Sequence, residues 1–281
     1  MTTPLLQLRD VTVALRSNNR PMVTGVGLSI FAGEVFGVVG ESGSGKTMLT
    51  RTVFGLEDSA HLTHGTVSFD GETLPDQGYA KAARRLLGGR IGYVPQDPFS
   101  SLNPTMRVGR QITEALYLAK GMPIHAAATR QAAIAVLGEV GIPEPALAFE
   151  QFPDQFSGGM RQRIVFAIAL AQEPKLLVAD EPTTALDAIT QRRVIELMLE
   201  RCRTRGMAVI LISHNLELLR QSVDRLAVLY GGQLHNIAPA SAIGHHTSHP
   251  YTEALFDCIP TKGKTLADIR AIRGEPVGAG F

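Results

Sequence analysis

The sequence is poor in the residues that build covalent or metal-held scaffolds. Its 281 residues include two cysteines, Cys202 and Cys258, and no tryptophan. Two thiols so far apart cannot supply a four-thiolate zinc or iron–sulfur site alone, nor a disulfide framework. Charge of one sign is missing too. Lys plus Arg number 27 against 26 Asp plus Glu, a net charge of +1, so bulk charge does not favour wrapping nucleic acid. Long apolar runs are also lacking. The densest, IVFAIALA at 164–171, is far below the ~20 residues that cross a bilayer. The opening MTTPLLQLRD has neither the basic start nor the long apolar core of a secretory signal. These absences imply a cytoplasmic protein that other chains would have to hold at any membrane.

What is present is a globular composition, 44% hydrophobic and 19% charged, long enough for one large domain or a domain with an appendage. Residues 5–15 and 26–30 alternate apolar and polar positions as half-buried strands do, with a turn at 18–21 between them. Residues 35–39, 176–179 and 208–212 are apolar throughout, and 226–230 reads as one more strand. A helix is expected to start near Gly45, and others fit 159–172 and 189–205. A helical pattern, Ala-rich at 126–136, runs from about 108 to 140, and Pro143, Pro145 and Pro153 break it. Apolar strands alternating with helices imply a parallel sheet covered on both faces. The stretch 108–172 interrupts that alternation as a helical insert. Residues 241–281 show little periodicity and read as a tail.

Gly40-Glu41-Ser42-Gly43-Ser44-Gly45-Lys46-Thr47 fits the phosphate-loop pattern GxxxxGK[ST], with an apolar strand before it and a helix after. The glycines let successive N–H groups curl round a phosphate, and the helix start adds partial positive charge. Lys46 would bridge the β- and γ-phosphates, and Thr47 would offer its hydroxyl to Mg²⁺. The plain alternative, a glycine-rich surface turn, does not explain the flanking strand and helix. In LLVADE at 176–181, Asp180 emerges at the carboxyl end of a buried strand, where open α/β sheets bind ligands. Asp180 would hold Mg²⁺ through water, and Glu181 would polarise an attacking water. Taken alone, the pair could equally cap the next segment. His214 follows the strand at 208–212 and could reach a γ-phosphate, or simply cap or pack.

Together these residues resemble the ATP-binding cassette (ABC) family of ATPases. The most specific segment is Phe156-Ser157-Gly158-Gly159-Met160-Arg161-Gln162-Arg163, which is similar to the family's signature motif. Ser157 and two glycines at a helix start form a second anion cradle, beside the plainer reading of a glycine-rich helix cap. One chain cannot close both cradles on one phosphate, so the resemblance implies a head-to-tail dimer. Phe156 and Met160 stand where the family usually has Leu and Gln, a branch trait in a motif that keeps Ser157, Gly158 and Gly159. The resemblance also implies that Gln96 is the Q-loop glutamine, sensing Mg²⁺ and γ-phosphate and facing a transmembrane partner. The alternative there is a proline-stiffened turn. In Ala185-Leu186-Asp187, Asp187 would cross the dimer interface as well as N-cap the following helix, and His214 would be the switch histidine. The resemblance spans roughly residues 5–259. One position departs from it. The family often stacks adenine on an aromatic residue in the first strand region, and residues 13–16 offer none. Leu15 is the aligned residue. Base–aromatic stacking is worth about 1–3 kcal/mol per base, so weak base selectivity and modest ATP affinity are expected.

The segments 40–46, 96–98, 101–104, 156–163 and 179–187 and His249-Pro250-Tyr251-Thr252 are similar to ATPases of the dipeptide, oligopeptide and nickel importers. That branch often carries a cysteine cluster for an iron–sulfur centre in its C-terminal extension. Neither cysteine here has such a spacing, so no iron–sulfur cluster is expected. His245, His246 and His249 could share a transition metal, but with no carboxylate or thiol beside them a solvated loop is the expected role. The fold class implied is α/β. It comprises a P-loop ATPase core with a mostly parallel sheet, an antiparallel β subdomain at the N-terminus and a helical signature subdomain at about 99–172. These make an ABC ATPase domain of residues 1–240, followed by a short C-terminal tail at 241–281. The function implied is that of the ATP-hydrolysing subunit of an importer for peptides, nickel or a related small solute, using ATP and Mg²⁺. Its partners would be a second ABC ATPase subunit, identical or not, two transmembrane permease subunits and, indirectly, a solute-binding protein. No nucleic acid is expected. The chain would work peripherally at the cytoplasmic face of the inner membrane. The alternatives are an exporter ATPase and a soluble non-transport ABC ATPase.

Overall fold

Strands that are apolar at every position need cover on both faces, and the architecture supplies it. A computed structural model describes residues 3–183 and 186–242. Ala185, His245, His246, His249, Cys258 and the expected tail beyond 242 lie outside the described residues. In chain order the elements are β1 (Leu6–Leu15), β2 (Pro21–Ile30), β3 (Val35–Val39), α1 (Lys46–Val53), β4 (Ala60–Phe69), β5 (Glu72–Thr73) and α2 (Tyr79–Arg84). Then come β6 (Ile91–Val94), α3 (Pro98–Ser101), α4 (Val108–Lys120), α5 (Ala127–Glu139), α6 (Pro145–Ala148) and α7 (Gly158–Ala171). The series closes with β7 (Leu176–Asp180), α8 (Ala188–Thr204), β8 (Ala208–Ile212), α9 (Leu216–Ser222), β9 (Arg225–Tyr230) and β10 (Gln233–Pro239).

Six strands form one sheet in the order β10-β9-β3-β8-β7-β6. It is parallel except at one edge, where β10 pairs antiparallel with β9. The other sheet is antiparallel, in the order β2-β1-β4-β5. Alternation along the buried strands divides the interior into two cores. Val35, Val39, Leu177, Ala179, Val209 and Leu211 face a core shared with α4, α5, α7 and α8. Phe36, Val38, Leu176, Val178, Ile210 and Ile212 face a second core, shared with α1 and the antiparallel sheet. Each fully buried Val, Leu, Ile or Phe contributes about 1.5–3 kcal/mol, so the two cores stabilise the sheet in the observed strand order.

That order positions the site. β3, β8, β7 and β6 are consecutive neighbours and all run the same way, so the loops leaving their carboxyl ends emerge side by side. β2 begins at Pro21, earlier than the alternation implied. It is the edge strand of its sheet, where proline's missing N–H costs no ladder bond.

Candidate active site

β3 ends at Val39, and the chain must turn at once to begin α1. At Gly40 a Cβ would stand 2.1 Å from the Leu229 carbonyl oxygen, so only glycine fits. Gly45 is the N-cap of α1, with φ of 99° and no capping side chain, and a Cβ there would lie 2.7 Å from Val23 Cγ2. The first-turn N–H groups of α1 therefore have neither an intrahelical nor a side-chain acceptor. Lys46 folds back into the loop at 4% exposure. Its Nζ donates to Gly40 O (2.8 Å), Glu41 O (2.7 Å) and Ser44 Oγ (3.4 Å). Burial pushes the pKa of its ammonium down, against the opposing pull of Glu181, Asp180 and Glu41. The loop thus holds unspent N–H donors and a desolvated cation, a combination suited to a polyphosphate.

Asp180 closes β7 and is 1% exposed. Thr47 Oγ1 donates to its Oδ1 (3.0 Å) and the Tyr93 hydroxyl to its Oδ2 (2.9 Å). Burial pushes the carboxyl pKa up, while the bonds from Tyr93 and Thr47 pull it down. Both of its described partners are neutral hydroxyls. A buried carboxylate without a bonded cation, beside a hydroxyl and an open phosphate loop, is a hard-oxygen donor set that fits Mg²⁺.

In a regular strand Glu181 would point away from Asp180. Instead it stands just past the strand with φ of 45°, its N–H bonded to Ile212 O at 3.0 Å. That left-handed backbone costs about 1–2 kcal/mol for an L-residue. Glu181 Oε2 accepts from Gln96 Nε2 at 3.2 Å and lies 3.3 Å from His214 Nδ1. Its side chain is 14% exposed, whereas that of His214 is 56% exposed.

The structure therefore gathers Gly40, Glu41, Ser42, Gly43, Ser44, Gly45, Lys46, Thr47, Gln96, Asp180, Glu181 and His214 at adjacent strand ends. Gln96 is bonded to Glu181 rather than to the Thr47–Asp180 pair. Ser157, Gly158, Gly159 and Asp187 form a different place. Ser157 N-caps α7, accepting from Met160 N at 3.4 Å. Asp187 N-caps α8, accepting from Ile189 N (3.1 Å) and Thr190 N (3.0 Å). Hydrogen bonds from Thr190, then Ile189, hold its carboxyl pKa below the usual value. The two helix starts touch. A Cβ at Gly159 would lie 2.9 Å from Thr190 Cγ2, and one at Gly158 would lie 3.5 Å from Leu186 Cδ2. Leu15 ends β1, half-buried and paired with Ala60. The segment against the phosphate loop is Met22–Val23 at the start of β2. Sequence reasoning missed Tyr93, because an aromatic in a short apolar strand reads as core.

An open phosphate loop, a hydroxyl–carboxylate pair and a glutamate just beyond it define a P-loop nucleotide-binding protein. The ABC transporter family model matches residues 23–184, more than half of the sequence, and the chain belongs to that family. It is 42% identical over 256 residues to the dipeptide transport ATP-binding protein DppD of Bacillus subtilis, covering 90% of this chain and 76% of that protein. It is 40% identical over 277 residues to DppD of Escherichia coli, covering 98% and 84%. With the oligopeptide transport ATP-binding protein OppD of Bacillus subtilis, identity is 38% over 279 residues, covering 98% and 77%. Among solved structures, it resembles a dimeric ATP-binding cassette in a post-hydrolysis state bound to ADP and Pi. The TM-score is 0.70 and identity 26%, covering 84% of this chain and 98% of that one. It shares its fold with cbiO1 of Clostridium perfringens, part of the ABC transporter complex cbiONQ. There the TM-score is 0.74 and identity 23%, covering 86% and 91%.

Proposed function

We propose that this chain is the ATP-hydrolysing subunit of a peptide importer. The observation that carries the reading is the buried Asp180 joined to Thr47 at the mouth of an open phosphate loop, with Glu181 held beside it by Gln96. Lys46 exchanges the Gly40 and Glu41 carbonyls for phosphate oxygens when ATP enters. The N–H groups of the loop and of the first turn of α1 hold the remaining phosphate charge. Thr47 and Asp180, with Gln96, would hold Mg²⁺. When bound, Mg²⁺ neutralises charge on the β- and γ-phosphate oxygens. Glu181 accepts the proton of the attacking water, and Gln96 and His214 keep its carboxylate aimed.

The second half of the site comes from a second ABC ATPase subunit. Its Ser157, Gly158 and Gly159, or their counterparts, clasp the γ-phosphate from the far side, and Asp187 stands at the interface. ATP between the halves favours closure, and hydrolysis permits opening. The helical segments that follow Gln96 pass this motion to two membrane permease subunits, which a solute-binding protein supplies. Among the described residues no helix is long and apolar enough to cross a membrane. The relatives' names as transport ATP-binding proteins support a peripheral place on the cytoplasmic face, held by the permeases. The relatives' names favour di- and oligopeptides over nickel as cargo. We assign residues 1–240 to the ATPase domain, with a helical subdomain at about 99–172, and the rest to a tail without an iron–sulfur cluster.

Replacing Glu181 with Gln tests the reading at two levels. The purified variant keeps ATP bound while phosphate release falls by about 10²–10⁴-fold, the usual contribution of a positioned base. Cells carrying it in place of the native copy lose peptide uptake. Full hydrolysis by the variant removes Glu181 as the base, and undiminished peptide uptake removes the importer.

A further inference from the structure

Asp180 makes a demand that the phosphate loop alone does not meet. Its carboxylate has two oxygens, and at 1% exposure neither is served by bulk water. Thr47 satisfies Oδ1 at 3.0 Å; Oδ2 is left to the Tyr93 hydroxyl at 2.9 Å. The strand register explains the reach. β6 runs parallel to β7 with Tyr93 opposite Val178, and both face the core beneath α1. Asp180 lies two residues further along the same face of β7, about 6.6 Å. A phenol spans that distance and ends in a donor. Three residues after Tyr93, Gln96 donates to Glu181 at 3.2 Å. One short strand and the loop leaving it thus hold both consecutive carboxylates of the site.

We propose that Tyr93 is a positioning residue for the metal-holding carboxylate. Its hydroxyl fixes the plane of Asp180 so that Oδ1 stays on Thr47, and it ties the Gln96 loop to that carboxylate. The proposal rests on the reading of Thr47 and Asp180 as the Mg²⁺-holding pair. Without the hydroxyl, Oδ2 becomes a buried acceptor with no donor. The carboxylate then turns to regain one, and Oδ1 leaves Thr47. Metal-free nucleotide binding draws on Lys46 and the loop N–H groups, and Tyr93 plays no part in it.

The test uses the full chain with Tyr93→Phe, and with Tyr93→Met, which fills similar space without a donor. Electron paramagnetic resonance with Mn²⁺ and ATP reads metal affinity. Calorimetry with ATP in EDTA reads nucleotide affinity without metal. Both variants are expected to bind Mn²⁺ about tenfold more weakly, the size of a lost hydrogen bond to a charged group. Their metal-free ATP affinity stays at the wild-type value. Unchanged Mn²⁺ affinity overturns the proposal, and so does a parallel fall in metal-free ATP binding, which marks a purely structural role. Failure of the wild-type chain itself to take up Mn²⁺ with ATP overturns the metal-pair reading and the proposal together.

Discussion

Two glycine-bearing helix starts, those of α1 and α7, are left in opposite conditions. At α1 the cap is Gly45, with no side chain to spend the first-turn donors. Around it stand Lys46, the Thr47–Asp180 pair, and Glu181 with Gln96 and His214. At α7 the cap is Ser157, exposed and bonded to its own first turn, with its glycines packed against the start of α8. The first place holds the candidate reactive groups, and its loop residues Glu41, Ser42 and Gly43 are exposed. The second offers a helix start but brings no described base or metal-holding pair. Each has what the other lacks, a complementarity that fits the head-to-tail pair proposed above.

The sharpest way to break this comparison is to spoil the second place alone. Ser157→Arg puts a bulky cation where a partner's phosphate would dock. Turnover is expected to fall by about 10²-fold or more, the cost of removing an oriented donor from a charged transition state. The variant's own phosphate loop still binds ATP, so calorimetry reads nearly wild-type affinity while phosphate release collapses. A variant that hydrolyses at the wild-type rate makes α7 an ordinary capped helix.

A smaller effect tests whether the α1 side grips nucleotide by its phosphates rather than its base. By the family resemblance Leu15 would stand where an aromatic often does, while the chain against the loop is Met22–Val23. ATP and GTP are expected to bind within about tenfold of each other, given the 1–3 kcal/mol a stacked base supplies. Leu15→Phe should restore part of that and tighten ATP about tenfold in a competition titration. Tight ATP binding with strong exclusion of GTP by the wild-type chain contradicts this.

The same contrast shows what the amino-acid sequence could reveal. β3 and β8 were legible to the residue, because five-residue runs rich in β-branched residues, with Gly40 after the first and Gly206 just before the second, are too short for a buried helix. The helix at 159–172 was off by one residue at each end, since Ser157 caps α7. β4 was not legible. Its alternation breaks at Gly65, which has φ of 90° and lies so near β1 that a Cβ would stand 2.4 Å from Asp10 O. β10 is half-buried, carries His235 and Asn236, and pairs antiparallel on an otherwise parallel sheet, so no apolar run announced it. At the site, the phosphate loop, Asp180 and Glu181 could be singled out because consecutive residues carry the pattern, whereas His214 stayed open between a γ-phosphate contact and a cap until the family resemblance favoured the first. Tyr93 was not, because its meaning lies in the parallel register of β6 against β7. The pairing of Gln96 with Glu181 likewise depends on Glu181's positive φ.

The smallest expected effect concerns what holds the α1 side together from behind. Asp70, just past β4, accepts from Lys175 Nζ (2.5 Å) and Arg90 Nη2 (2.9 Å). Lys175 precedes β7 and Arg90 precedes β6, so this cluster pins the antiparallel sheet to the ends of β6 and β7 opposite Tyr93 and Asp180. The bonds from Lys175 and then Arg90 hold the Asp70 carboxyl below its ordinary pKa of 3.8. A carboxyl depressed on folding stabilises the fold above its unfolded pKa, and that contribution is lost as pH falls through the folded one. With the side chain 32% exposed, solvent screening limits the contribution to about 1 kcal/mol or less. Asp70→Asn should therefore lower Tm by about 2 °C at pH 7. The gap to wild type should shrink as pH drops below 3.8 and narrow in high salt. Scanning calorimetry from neutral to acid pH measures it, with ATP affinity as the control. A gap that persists unchanged in acid assigns the loss to packing, and a fall in ATP affinity shows that the phosphate loop depends on this clamp.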